Sequence, residues 1–77
     1  SEHMNYSERM KLLRTGHHDS QQKIASILGI ALRTYQYYER GQREPTVSVI
    51  IALAELYGVS TDYLLGVSDE RGEGLHE

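Results

Sequence analysis

The 77-residue chain has no cysteine, a single proline and no long hydrophobic run. Without cysteine it can form neither a disulfide nor a thiolate metal site. No apolar segment approaches the roughly 20 residues that a membrane-spanning helix requires, and no secretory signal is visible. Strand-like alternation, internal repeats and coiled-coil heptads are also missing from the sequence. These absences favour a soluble, intracellular domain built from helices.

Residue groupings that could carry out catalysis are equally scarce. The sequence shows no nucleophile–base arrangement, no Gly-rich phosphate loop and no catalytic carboxylate pair, so we expect neither an enzyme nor a cofactor. His17 and His18 are adjacent in a predicted loop without cysteine or well-spaced acids, which is a weak zinc pattern. We therefore expect no metal site.

The charges are distributed unevenly along the chain. The net charge is −3, yet seven of the eight basic residues fall between Arg9 and Arg43, where only two acids oppose them. Residues 44–66 contain three acids and no base, and residues 67–77 are acidic again. A local basic surface, rather than the net charge, is what meets phosphates, so the distribution leaves nucleic-acid binding open.

The spacing of apolar residues predicts five short helices in one small domain. We expect the domain to span residues 5–66, with residues 1–4 as an expression remnant and residues 67–77 as an acidic flexible tail or the start of a linker. The predicted helices cover about residues 7–15, 20–28, 32–40, 47–57 and 61–65, and glycines 16, 29, 41, 58 and 66 mark their ends.

The segment from Ser20 to Gly41 is the most informative part of the sequence because it predicts two short helices joined by a tight turn at Gly29. Ser20 is the expected N-cap of the first of these helices, with Asp19 as a competitor, while Ala31 is a poor cap for the second. The spacing places Tyr35 and Tyr38 in the core, and it places Leu32, Arg33, Gln36 and Tyr37 on the outward face.

Seven short motifs follow one another along the chain. They are Ser-Gln-x-x-Ile-Ala (20–25), Leu-Gly-Ile (28–30), Tyr-Glu-Arg-Gly (38–41), Arg-Glu-Pro-Thr (43–46), Leu-Ala (53–54), Tyr-Gly-Val-Ser (57–60) and Asp-Tyr-Leu-Leu-Gly (62–66). In this order, the chain from about residue 9 to residue 66 resembles the Xre and lambda-434 Cro-repressor family of helix-turn-helix regulators. The resemblance implies an all-α, five-helix, lambda-repressor-like fold, with the second and third helices forming the helix-turn-helix.

The resemblance also implies roles for individual residues. Arg14 and Glu39 match a structural ion pair between the first helix and the end of the third. Asp19, Ala31, Tyr35 and Tyr37 depart from the residues usual in the family. Leu32, Arg33, Gln36 and Tyr37 fall where the family reads base edges or the adjacent backbone, and Gln21 matches a glutamine that touches a phosphate and braces the recognition helix. The residues predicted to contact phosphates are Ser20, Gln21, Lys23, Thr34, Gln42 and Arg43.

The chemistry of the outward face is compatible with these roles. A guanidinium such as that of Arg33 can pair with guanine O6 and N7, and an amide such as that of Gln36 can pair with adenine N6 and N7. Leu32 could meet a thymine methyl group. The alternatives are a solvated or phosphate-bound Arg33, a solvent-facing Gln36, a Leu32 that packs on the domain and a Tyr37 that packs on the second helix.

The sequence thus predicts a transcriptional regulator, in particular a repressor, that binds double-stranded DNA as a homodimer on a near-palindromic operator. Ile51, Leu56 and Tyr63 are candidates for the dimer interface. The resemblance implies a cytoplasmic, prokaryotic or phage-type protein that associates with the nucleoid through DNA. The alternative is a protein-interaction module, such as an antitoxin or the target of an anti-repressor, which would present a more apolar face.

Overall fold

The computed structural model describes residues 4–72, and this part of the chain folds into five helices. The helices are α1 (Tyr6–Gly16), α2 (Gln21–Leu28), α3 (Leu32–Glu39), α4 (Val47–Tyr57) and α5 (Thr61–Leu65). The predicted all-α architecture is therefore confirmed. Among residues 4–72, none of the helices has both the length and the apolar character needed to cross a membrane.

Side-chain caps explain where most of the helices begin. Ser20, Thr46 and Ser60 each accept a hydrogen bond from the backbone N–H three residues further on. Ala31 has no side-chain oxygen, so α3 begins without such a bond. Because a cap contributes ~1 kcal/mol, α3 depends more on its packing than the other helices do.

Helix α1 extends further at both ends than the sequence predicts. Asn5 Oδ1 accepts a hydrogen bond from the Glu8 backbone N–H at 3.0 Å, and Glu8 Oε1 accepts one from the Asn5 N–H at 3.1 Å. This capping box starts the helix at Tyr6. At the other end Gly16 is still helical, and His18, with a φ of 60°, reverses the chain in its place.

The five helices surround a single core. Helix α1 packs against α3 and α5, α2 packs against α3 and α4, and α4 packs against α5. Tyr35 and Tyr38 are buried, as the spacing predicts, and Tyr35 is fully inaccessible to solvent. The core consists of Met10, Leu13, Ile24, Ala25, Tyr35, Tyr38, Val49, Ile50, Leu53, Ala54, Tyr57, Val59, Tyr63 and Leu64.

Arg9 connects α1 to the segment that follows α5. Its Nη1 donates to the Tyr63 and Ser68 carbonyls at 2.8 and 3.1 Å, and its Nη2 lies 2.8 Å from Asp69 Oδ1. The guanidinium also stacks over the Tyr63 ring, with Cζ 3.9 Å from the ring centroid. Arg9 is therefore a structural residue and is not available to a phosphate.

The segment after Gly66 contacts the domain as far as Arg71. The Ser60 N–H donates to the Arg71 carbonyl at 2.7 Å, and the Arg71 guanidinium lies over the ring of Tyr63. The first residues of the predicted acidic flexible tail or linker therefore contact the domain, because the Ser68 carbonyl and the Asp69 carboxylate bond the buried Arg9 on α1. The rest of the predicted remnant and tail, residues 1–3 and 73–77, lies outside the described residues.

Candidate nucleic-acid interface

The turn between α2 and α3 sets the direction of the candidate recognition helix. Gly29 has a φ of 72°, a left-handed conformation that costs glycine little. The N–H groups of Gly29 and Ile30 donate back to the Ser26 and Ala25 carbonyls at 3.1 and 3.0 Å. Half-buried Ile30 packs against the core. Helix α3 therefore leaves the turn with one side fixed inward.

The predicted base-contacting residues lie together on the opposite side of α3. At 100° per residue, they cover about 140° of the helix circumference, away from the buried tyrosines. Arg33 is exposed, whereas its three neighbours on this face are half-buried, as is Thr34 on the flank. The residues on this face are Leu32, Arg33, Gln36 and Tyr37.

Three side chains form a line of hydrogen bonds from this face toward the core. Gln36 Nε2 donates to Gln21 Oε1 at 3.1 Å, and Gln21 Nε2 donates to Glu39 Oε1 at 3.0 Å. An amide has one donor side and one acceptor side, so each bond in the line determines the orientation of the next amide. Gln21 and Gln36 are therefore oriented by contacts within the protein.

The line ends at a carboxylate that accepts several hydrogen bonds. Arg14 Nε lies 2.6 Å from Glu39 Oε2 and Arg14 Nη2 lies 3.1 Å from Oε1, so the ion pair that the sequence predicts is present. The Tyr35 hydroxyl also donates to Oε2, at 2.6 Å. We call Arg14, Gln21, Tyr35, Gln36 and Glu39 the amide network.

The shifted pKa values in the amide network favour an ionised Arg14–Glu39 pair and a neutral Tyr35. Burial by itself raises the pKa of Glu39, but hydrogen bonds from Arg14, Tyr35 and Gln21 outweigh burial and hold that pKa below 4.5. The pKa of Arg14 is raised, chiefly by its hydrogen bond to Glu39. Burial, and then the hydrogen bond to Glu39, raise the pKa of Tyr35. The pair is therefore ionised at neutral pH, and Tyr35 is neutral and acts as a donor.

The N-terminus of α2 stands beside this network. Ser20 Oγ accepts a hydrogen bond from the Lys23 N–H at 3.0 Å, which leaves the first amides of the helix for another partner. Lys23 Nζ lies 3.0 Å from Asp19 Oδ1, but the lysine side chain is 62% exposed. Such exposed pairs contribute about 0–1 kcal/mol. The ammonium group can therefore exchange Asp19 for a phosphate.

The loop after α3 carries the remaining predicted phosphate contacts. Gln42 and Arg43 are both exposed. The Arg43 guanidinium stacks on the Tyr37 ring, with Cζ 4.8 Å from the ring centroid, and the Tyr6 hydroxyl donates to the Arg43 carbonyl at 2.8 Å. Tyr6 was not predicted at this site, since its contact spans 37 residues and has no local sequence signal.

The structure also distinguishes the basic side chains that a partner can reach from those that bond within the domain. Arg9 and Arg14 are engaged by carboxylates and carbonyls of the domain. Sequence reasoning did not single out Arg40, which follows α3 and is exposed; its place in the basic segment was the available signal. The exposed basic residues between residues 9 and 43 are Lys11, Lys23, Arg33, Arg40 and Arg43.

A second surface feature lies between α4 and α5. An open groove of about 450 Å³ is lined by Val47, Ile50, Ile51, Thr61 and Leu65, and we call it the apolar groove. Of the three predicted interface residues, Ile51 lines the groove. Leu56 is also exposed, but lies about 140° away from Ile51 around α4.

Tyr63, the third candidate, is only 6% exposed because Arg9 and Arg71 stack on it. As a buried residue it has little surface for a partner in one copy of the domain. An aromatic residue next to two apolar ones on a five-residue helix does not reveal which of them faces outward. The cations that cover Tyr63 come from distant parts of the chain.

Comparisons with known proteins agree with this geometry. The helix-turn-helix family model HTH_3 matches residues 10–64. The HTH-type transcriptional regulator YobD of Bacillus subtilis is 37% identical over 65 residues, which are 84% of this chain and 58% of that protein. The transcriptional repressor RstR of the Vibrio cholerae cryptic phage CTXphi is 30% identical over 64 residues, or 83% of this chain and 58% of RstR. The chain thus spans a little over half the length of these relatives.

A solved structure is also similar to this chain. The crystal structure of a transcriptional regulator from Listeria innocua superposes with a TM-score of 0.78 at 30% sequence identity. The superposition covers 86% of this chain and 61% of that protein.

Proposed function

Because the chain belongs to the Xre-type helix-turn-helix family of DNA-binding transcriptional regulators, we propose that it binds double-stranded DNA sequence-specifically as a homodimer. Each copy places α3 in the major groove of one half of a near-palindromic operator, and the protein acts as a repressor in the cytoplasm, associated with the nucleoid through DNA. The observation that carries the proposal is the oriented amide of Gln36 beside exposed Arg33, next to the N-terminus of α2.

Base recognition follows from the atoms that this face leaves available. Gln36 uses one Nε2 hydrogen for Gln21, so its Oε1 and its second Nε2 hydrogen remain for a partner. This pair of groups matches adenine, whose N6 donates and whose N7 accepts. Arg33 presents a guanidinium fork that matches guanine. Leu32 and Tyr37 flank these two polar groups and supply apolar and aromatic contacts.

Phosphate contacts supply most of the affinity in this proposal and fix the register on the duplex. The free amides at the start of α2 and the positive end of its dipole favour a phosphate. Exposed cations flank them on both sides. The proposed phosphate-contacting residues are Ser20, Gln21, Lys23, Thr34, Gln42 and Arg43, with Arg40 as an addition from the structure.

The apolar groove supports self-association. Val47 is 75% exposed, and Ile51 and Leu65 are each 43% exposed, so apolar area is in contact with water in one copy of the domain. Operator half-sites that are one turn of the DNA double helix apart require the two recognition helices to lie ~34 Å from each other. The domain measures 29 × 29 × 24 Å, which is of the same order as this spacing and supports an arrangement of two copies side by side. We propose that the occupant of the groove is a second copy of this chain.

The test of DNA recognition is selection of random duplex DNA on the purified protein, with sequencing of the bound fraction at two salt concentrations. We expect an enriched inverted repeat and an affinity that falls steeply with salt, since each neutralised phosphate releases counterions. The absence of enrichment at both salts would contradict the proposal and favour the protein-interaction module.

The test of the dimer uses two substitutions on α4. Ile51→Asp places a charge in the apolar groove, and Leu56→Asp places the same charge on the other flank of the helix as a matched control. We expect Ile51→Asp to lower the sedimenting mass to that of one copy and to weaken binding to the inverted repeat. Equal behaviour of the two variants would show that the groove is not the interface.

A further inference from the structure

The Tyr35 hydroxyl links the core of the domain to the amide network. The side chain is fully buried, and its Oη donates to Glu39 Oε2 at 2.6 Å from one helical turn away. An apolar residue could fill the same volume in the core but could not make this bond. The hydroxyl therefore has a task beyond packing.

The direction of each hydrogen bond follows from the carboxylate of Glu39, which can only accept. Gln21 must turn its Nε2 toward Glu39, so its Oε1 points away, toward Gln36. Gln36 must in turn present its Nε2 to Gln21. The position of the Glu39 carboxylate thus decides which atoms Gln36 shows on the outer face of α3.

Arg14 alone does not fix that carboxylate in the same way. It pairs with both oxygens of Glu39, but it also donates to the Asp19 carbonyl and comes from a different helix, α1. The bidentate pair fixes the carboxylate relative to the guanidinium, and therefore relative to α1 and not to α3. The Tyr35 ring is confined by the core on the same helix as Glu39, and its hydroxyl gives Oε2 a second donor at a fixed place.

We propose that Tyr35 is a positioning residue for base recognition: through Glu39 and Gln21 it holds the amide of Gln36 in the orientation that reads a base. The role in DNA reading rests on the proposed function, whereas the ordering of the two glutamine amides is a property of the free protein. The two parts can therefore be tested separately.

The experiment compares Tyr35→Phe with Tyr57→Phe. Both changes remove one hydroxyl from a buried tyrosine of the core. Tyr57 Oη is buried without a hydrogen-bond partner among the described residues, so its loss removes no hydrogen bond of the amide network. All measurements are made at a temperature where circular dichroism shows each variant fully folded.

The first readout is the side-chain NH₂ signals of Gln21 and Gln36 in the ¹⁵N–¹H spectrum of the free protein. In Tyr35→Phe we expect both pairs of signals to move toward the positions of freely rotating amides, while Tyr57→Phe leaves them in place. Unchanged signals in Tyr35→Phe would overturn the positioning role. This readout needs no DNA, so it stands even if the selection experiment finds no operator.

The second readout is discrimination at the base pair where Gln36→Ala loses selectivity on the selected operator. We expect Tyr35→Phe to reduce the affinity ratio between the correct and the altered base pair by about three- to tenfold, a part of what a bidentate pair supplies. Affinity for random DNA and its salt dependence should not change. A parallel loss on both DNAs would indicate a structural role only, and selectivity that survives Gln36→Ala at every position would exclude Gln36 as the reader.

Discussion

The amide network on α2 and α3 and the apolar groove between α4 and α5 both lie at the surface, but their side chains are ordered differently. In the network, the hydrogen bonds of Glu39 and Gln21 give each amide one orientation before any partner arrives. In the groove, Val47 and Ile51 make no directional bonds and expose apolar area. Reading a base requires atoms of known polarity, whereas apolar association requires only shape and area.

The charges follow the same division. Between residues 9 and 43 the chain carries a net charge of +5, and between residues 44 and 66 it carries −3. The exposed basic residues therefore belong to the chain segment that contains α3, whereas the residues that line the groove belong to the acidic segment. In the proposed function, the basic segment would meet phosphates and the groove would meet a second copy, so the two proposed contacts use segments of opposite net charge.

The largest expected effect comes from breaking the amide network at its centre. Glu39→Ala leaves the guanidinium of Arg14, whose side chain is 13% exposed, without its carboxylate. We expect a loss of ~3–5 kcal/mol in the free energy of unfolding, because a buried charge is stranded. Urea denaturation measures this, with exposed Glu55→Ala on α4 as the control, for which about 0.5 kcal/mol or less is expected. Equal midpoints for the two variants would contradict the assignment.

Acid weakens the same network by protonating Glu39. The folded-state pKa of Glu39 lies below its ordinary 4.5, so its stabilising effect is present above that value and is lost as the pH falls through the folded pKa. We expect Glu39 to contribute evenly from about pH 7 to pH 5 and progressively less below about pH 4. The urea midpoint of Glu39→Gln should fall less in acid than that of the unchanged protein. If the urea midpoints of the two proteins fall equally as the pH is lowered, Glu39 does not cause the loss of stability in acid.

A substitution on the outer face should affect recognition and leave folding intact. Arg33→Ala removes an exposed guanidinium, so we expect a change in the free energy of unfolding within ~0.5 kcal/mol. On the selected operator it should cost ~1–3 kcal/mol and relax the preference at one base position. Competition binding with operators altered at single positions measures the effect. A uniform loss at all positions would instead identify Arg33 as a phosphate contact.

The smallest effect is expected in the apolar groove. Val47→Ser changes a side chain that is 75% exposed in one copy of the domain, so the unfolding free energy measured at dilutions that favour single copies should stay within ~0.5 kcal/mol. Leu53→Ala on the same helix serves as the contrast, since Leu53 is fully buried and its truncation should cost ~2–5 kcal/mol. A large loss for Val47→Ser would show that the groove is part of the folded core.

Local signals predicted much of the fold. Ser20, Thr46 and Ser60 are good caps, Gly29 and Gly58 tolerate a left-handed conformation, and the helices between them lie where the spacing puts them. The stop predicted at Gly16 was less accurate. Whether a glycine ends a helix depends on where the next chain segment must go, and at this turn His18 makes the reversal.

The candidate site was predicted as a set of residues, with their mutual contacts largely unspecified. The helical spacing of residues predicted the outward face of α3, and the family resemblance predicted the pairing of Arg14 with Glu39. The line from Gln36 through Gln21 to Glu39 joins residues 15 and 18 positions apart, and such distances carry no periodic signal. The same limitation applies to Tyr63, because the sequence does not show that distant cations cover its ring.

The sequence by itself determined the helices, their caps, the buried tyrosines of α3 and the basic character of residues 9–43, since each depends on neighbours within a turn or two of the chain. Only the tertiary structure decided which basic side chains are exposed, which way the glutamine amides point and which apolar residues remain exposed. Those properties depend on desolvation and on hydrogen bonds between helices. Both arise only when distant segments pack together.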